Sequence, residues 1–252
     1  MELSYMRKKA SIPRAKRLAL VSTFATLYVT LSLLPGVPII GLPEATIELE
    51  ASFAPIFGIV LGPYLGFSAA LLGTIVAFFL PPVAMAPTGI PFVLCPAADA
   101  LVVGLIYRGS WKKAFAVVGL MIAAFWLTPP CHPLDLFYSI GIAATWDKML
   151  ALLLIAPTAK LAGKLLASTK GQPIFYWALS FIGNQADSAL GCLVFAIPLV
   201  YEGIFGLPIE AVRWLFIVSP FVYAIIRALQ AAIACFVAVP LVRYLRKAGL
   251  MA

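Results

Sequence analysis

Asn184, Asp187, Ser188 and Gly191 are spaced by three, four and seven residues, so on a helix they share one face. Arg227 and Gln230 are three apart and share a second face. Each set lies near the middle of a long apolar stretch, Asp187 within residues 173–201 and Arg227 within residues 214–242. A charge at the centre of a bilayer costs about 2.5 kcal/mol or more even on lenient scales. An acid and a base there face a bundle interior, pair with each other, or serve a ligand. An opposite charge nearby also favours the ionised carboxylate. The chemistry this suggests is recognition: Asp187 and Arg227 as a charge pair, Asn184 and Gln230 as hydrogen-bond formers. The competing reading is an internal ion pair that only locks two helices together.

Asp99 lies near the middle of another apolar run, and Asp147 sits beside Lys148 in a third. Neighbours on a helix diverge by about 100°, so Asp147 and Lys148 cannot face the same partner, and Lys148 snorkels or pairs elsewhere. For Asp99 and Asp147, pocket and structural roles stay open. Trp126, Trp146 and Tyr223 could stack on a planar ligand, or serve as packing or interface anchors.

Catalysis finds little support. The lone histidine, His132, stands in Pro-Pro-Cys-His-Pro. HExxH, GxSxG and the phosphate-binding GxxxxGK[ST] loop are all absent, and Cys131-His132 is poor spacing for a shared metal. The four cysteines fit no zinc or redox pattern, and three fall in apolar helices where thiols pack as small hydrophobes. The reading is therefore not an enzyme, with no cofactor and no metal.

The elements that must hold these residues are membrane helices. The chain has 252 residues, 63% of them hydrophobic and 11% charged, with mean hydropathy +1.04. A soluble fold could not hide that much apolar surface. Most of the 18 basic residues fall in four groups: Arg7 to Arg17, Arg108 to Lys113, Lys160 to Lys170, and Arg243 to Lys247. Acids collect in the intervening segments, at Glu44 to Glu50, Asp135, and Glu202 to Glu210. That alternation is the positive-inside pattern of a multi-pass protein, with both termini cytoplasmic. The same charges could weakly attract anionic headgroups, whereas nucleic acid is excluded as a partner. The expected organisation is one transmembrane domain over 1–252: a basic arm (1–17), an all-α bundle of about six to eight helices (18–242) and a basic tail (243–252). Gly62-Pro63 reads as a tight turn or kink between two short spans, and residues 36–50 as a lid. Gly58, Gly62, Gly66 and Ala70 recur at fourfold spacing, which lets backbones approach closely. Ala98-Asp99 and Ala186-Asp187 form a faint echo on helices that would run in opposite directions, as in an inverted repeat.

The run Phe53-Ala-Pro-Ile-Phe-Gly-Ile-Val-Leu-Gly-Pro-Tyr-Leu-Gly-Phe, followed by Ala69-Ala-Leu-Leu-Gly, resembles the substrate-binding (S) components of energy-coupling factor (ECF) transporters. The helix from Phe92 that ends in Gly104-Leu-Ile-Tyr-Arg is similar to that family, as is Val239-Pro-Leu-Val-Arg-Tyr-Leu-Arg. The resemblance is specific over about residues 18–108 and looser afterwards. It implies a small protein of the prokaryotic cell membrane that binds a vitamin-like micronutrient tightly. It also implies docking on a transmembrane coupling subunit driven by ATPase subunits, with an AxxxA motif on the first helix, here Ala15 and Ala19. The family usually has about six helices, where the hydrophobic pattern here gives about eight passes. The alternative is a stand-alone ion-coupled secondary transporter using Asp187 or Asp99; a third is a membrane enzyme or assembly factor.

Overall fold

The structure is a computed structural model, and it describes residues 13–33, 37–39, 42–47, 49–81, 86–218 and 220–248. Arg7, Lys8 and Lys9 of the basic arm lie outside these residues, as do positions 36, 40, 41 and 48 of the expected lid.

Helices dominate. They are α1 (Arg14–Leu31), α2 (Ala54–Leu61), α3 (Pro63–Phe78), α4 (Cys95–Tyr107), α5 (Trp111–Trp126), α6 (Leu134–Ala167), α7 (Gly171–Phe195), the single turn α8 (Pro198–Tyr201), α9 (Ile209–Val218) and α10 (Pro220–Lys247). The sequence reading missed one feature. Strands β1 (Val37–Ile39) and β2 (Leu42–Ile47) pair antiparallel inside the segment expected to be a lid. Short 3-10 turns at Leu49–Phe53, Pro87–Phe92 and Pro129–Cys131 link the helices.

Proline and glycine set the breaks. Gly62 has φ of +81°, a left-handed conformation that glycine adopts without strain, and Pro63 then opens α3 at a position where its missing N–H costs nothing. The expected turn at Gly62-Pro63 is therefore real. At 8 residues, α2 is about 12 Å long, less than half the hydrocarbon thickness. By length and composition, Pro87–Tyr107, Leu134–Ala167 and Phe221–Lys247 could each cross a membrane, with Pro63–Phe78 a shorter apolar helix. These lengths do not confirm about eight full passes among the described residues. The run expected over 214–242 is described as α9 up to Val218 and α10 from Pro220, with position 219 outside the described residues.

Close approach of backbones follows from the small residues. A Cβ on Gly58 would collide with the Ala100 carbonyl and lie 2.9 Å from the Gly104 nitrogen, so α2 and α4 pack almost backbone to backbone. Around them runs one apolar core drawn from α1 to α7 and α10, including Phe57, Val102, Leu179 and Ile182. A second apolar cluster, with Phe125, Phe195, Val212 and Phe216, lies where α5, α7 and α9 end.

The basic groups converge on one end of the bundle. Arg246 Nη2 donates to the Tyr107 hydroxyl (3.0 Å), Arg243 Nε to Gln172 Oε1 (2.7 Å), and Lys112 and Lys160 both lie about 6 Å from the Trp111 ring. Arg108 lies over the Gly62 turn. At the opposite end, where Asp135, Glu202 and Glu210 fall, Arg213 of α9 donates to the Pro130 and His132 carbonyls at 3.2 and 2.8 Å. Its guanidinium also sits 3.5 Å from the Phe137 ring centroid. The segregation of charge expected from the sequence therefore exists in three dimensions.

Candidate functional site

Helix α7 is the hub, packed against α4, α6 and α10. It is 25 residues long, yet it is not among the spans apolar enough to cross a membrane on composition. The polar run from Ser180 to Ser188 explains this, because those side chains are nevertheless buried. Surrounding helices, not lipid, are its solvent.

Asp187 and Arg227 meet. Arg227 Nη2 donates to Asp187 Oδ1 at 2.9 Å, and Nη1 donates to Gln230 Oε1 at 3.0 Å. Both charged residues are buried, at 5% and 8% exposure. Gln230 therefore aims the guanidinium, as its spacing suggested. The pair is not at mid-helix. Because α10 begins at Pro220, Arg227 lies about two turns from its start, and Asp187 lies about two turns from the end of α7. The site sits toward the acidic end of the bundle.

Asp99 is fully buried on α4, and neither of its oxygens has a hydrogen-bond partner. It packs on Gly183, where an added Cβ would collide with Asp99 Oδ1 and Val103 Cγ2. Helices α4 and α7 run antiparallel here, in the opposite directions expected for them: Gly191 faces Cys95, while Gly183 faces Asp99 and Val103. Asn184, on the Asp187 face of α7, is 0% exposed, and both its amide atoms lack partners.

Other expectations are corrected. Lys148 neither snorkels nor pairs away from Asp147. Its four-carbon stem folds back so that Nζ reaches Asp147 Oδ1 at 2.9 Å, and both residues are buried on α6. Trp126 is not a free stacking wall. Its Nε1 donates to Thr145 Oγ1 at 3.2 Å, and the ring covers Gly141 of α6. Tyr223 is half-buried, one turn before Arg227, and is engaged. Trp146 packs against Phe221 with ring centroids 5.6 Å apart and the ring planes tilted by 39°.

Sequence reasoning missed Ser180 and Gln185, both fully buried with unpartnered polar atoms. Ser180 lies one turn before Asn184 and was findable by extending the same face. Gln185 lies about 100° off that face, and only its place in a dense polar run could have flagged it. Above this set, toward the acidic end, rings close over one another: Phe195 meets Phe205 at 5.3 Å and Phe216 at 5.9 Å, and Phe92 meets Phe205 at 6.2 Å.

Buried polar atoms without partners are rare in folded proteins, and each calls for a partner such as a solute, an ion or ordered water. Donors and acceptors are both present here, on three different helices. The arrangement can grip a small polar molecule; among the described residues it has no group of three metal-ligating side chains.

Comparison with known proteins bears on what such a grip is for. Residues 13–128 match the family model described as the ECF-type riboflavin transporter, S component. The match supports an ECF S component. That family is one of transporter subunits, not of enzymes. The S-component match takes in α1 to α5 and with them Asp99, Trp126, Ala15 and Ala19, whereas Asp147, Asp187 and Arg227 lie beyond it. An uncharacterized protein of Methanocaldococcus jannaschii is 28% identical over 150 residues, which cover 59% of this chain and 48% of that protein. The chain thus spans about half the length of that curated relative. No solved structure matches.

Proposed function

We propose that this chain is the membrane-embedded, substrate-binding subunit of a modular ATP-driven uptake transporter for a vitamin-like heterocycle. Its solute is held between α4, α7 and α10 by Asp187, Arg227, Asn184, Gln230 and Asp99, with Tyr223 at the rim. Trp126 and Asp147 support the site from α5 and α6. The observation that carries this reading is the set of buried, unpartnered polar atoms on Asp99, Ser180, Asn184 and Gln185, beside the Asp187–Arg227 pair. Such groups cost free energy in an apolar interior unless something satisfies them. Riboflavin is the first solute to test, since the matching family model is described for it.

Docking on a coupling subunit falls to α1. Ala15 and Ala19 are exposed, and Thr23, Thr26 and Thr30 tie their hydroxyls back to the α1 backbone at 2.8 to 2.9 Å. The result is a smooth face that leads into a groove of about 290 Å³ between α1 and α3, lined by Ser22, Ala25, Thr26 and Val29. A close-packing helix suits such a surface. The basic end is read as the cytoplasmic side, facing the ATPase subunits, and the site lies nearer the acidic, outer end.

The test is solute uptake into proteoliposomes, with and without co-purified coupling and ATPase subunits. The reading expects uptake that requires ATP and those subunits and that an ionophore does not affect. Uptake by the chain alone that collapses with an ionophore would instead establish an ion-coupled secondary transporter.

A further inference from the structure

The buried charges do not balance. Among the described residues the buried acids are Glu50, Asp99, Asp147 and Asp187, and the buried bases are Lys148 and Arg227. Each base already has its acid: Lys148 holds Asp147, and Arg227 holds Asp187, both at 2.9 Å. Glu50 is engaged. Asp99 is left, fully buried, with no hydrogen bond to either oxygen.

An ionised carboxylate in that state needs a cation or several donors. Protonation removes the charge, but the resulting carboxyl still has no hydrogen-bond partner for its O–H or its carbonyl oxygen. The chain supplies no further buried base among the described residues. Glycine at position 183 brings the α7 backbone against the carboxylate, and Asn184, the next residue, adds an amide with both of its polar atoms unpartnered. An anionic solute fits less well, since the guanidinium of Arg227 is committed to Asp187 and Gln230 and has only Nε unpartnered.

We infer that Asp99 is the specificity-determining residue of the solute site, and that it selects a solute carrying a positively charged nitrogen. The inference rests on the reading of this cluster as a solute site. A monocation bound at Asp99 makes the set of Asp99, Asp147, Asp187, Lys148 and Arg227 electrically neutral.

The experiment is calorimetric binding to the full chain in lipid nanodiscs at neutral pH, with three vitamin probes of matched class: thiamine, a fixed cation; riboflavin, neutral; and biotin, an anion. Wild type should bind thiamine at least about tenfold tighter than the other two. Asp99→Asn keeps the shape and removes the charge. It should weaken thiamine at least about tenfold. Tighter binding of riboflavin or biotin by wild type overturns the inference while leaving the solute site standing. Unchanged thiamine affinity in a folded Asp99→Asn protein does the same. If Asp99→Asn does not fold, the wild-type order alone decides. Binding of none of the three counts against the solute site itself, and the inference falls with it.

Discussion

Removing the Arg227 guanidinium leaves the Asp187 carboxylate buried without its cation. Breaking a buried pair from one side typically costs about 3–5 kcal/mol, because the remaining charge is uncompensated. Arg227→Ala should therefore unfold at markedly lower temperature in detergent. The double variant Asp187→Asn with Arg227→Ala should recover part of that loss, giving a coupling energy of about 0.5–3 kcal/mol in a double-mutant cycle with the two single variants. Additive single losses would mean that the two side chains do not interact as their 2.9 Å contact requires. At Cys131, outside the spanning helices, burial pushes the thiol pKa up to about 11. The thiolate is the reactive form, so at pH 8 only about one thiol in a thousand is ionised. Maleimide labelling of Cys131 should be negligible at pH 8 and should rise steeply toward pH 11; ready labelling at pH 8 would refute its burial.

At this scale the sequence was informative where charge and spacing coincide. Asp187, Arg227 and Gln230 form the contacts their positions suggested, because few alternatives exist for an acid and a base between apolar helices. The direction of a long stem is a different matter. Lys148 turned back onto Asp147, and Trp126 turned onto α6, because the choice depends on which neighbour packs alongside.

Among the elements, α7 and its contacts with α4 decide the geometry. Gly183→Ala puts a methyl group into Asp99 and Val103. Overpacking of this kind typically costs about 1–3 kcal/mol. Gly119→Ala is the control, since its Cβ would meet only Leu152 Cδ1, at 4.0 Å. It should stay within about 0.5 kcal/mol of wild type, as exposed substitutions do. Equal melting of the two variants would contradict the close α4–α7 crossing. At the acidic end, Arg213 clamps α9 to the Pro129–Cys131 turn. Arg213→Ala should speed amide exchange in residues 127–132 and 209–218 and leave α4 unaffected. Uniform exchange rates in the two proteins would show that the clamp is not what holds α9.

Helix positions were legible from apolar runs, and Gly62-Pro63 from its residue types. The β1–β2 pair was missed because strands of three and six residues beside glycine and proline carry little periodicity.

For the whole molecule, charge asymmetry sets orientation. Basic groups distant in sequence meet at one end through Arg246–Tyr107 and Arg243–Gln172. A cysteine at Lys170 should react with a membrane-impermeant maleimide only after cells are opened, and one at Glu202 should react in intact cells. The opposite pattern would invert the topology and with it the direction from which the solute enters. The resemblance over residues 18–108 agrees with the family match over 13–128. The rest of the site lies outside that match, so its assignment depends on the buried polar cluster.

Native mass spectrometry of the gently purified protein tests the central claim most directly, because a site built of buried, unpartnered polar groups should keep its solute. The account expects a small molecule bound to wild type and lost from Asp187→Asn, with the variant still folded by circular dichroism. A wild type that carries nothing even after incubation with vitamin mixtures would contradict it, as would a bound mass that Asp187→Asn retains undiminished.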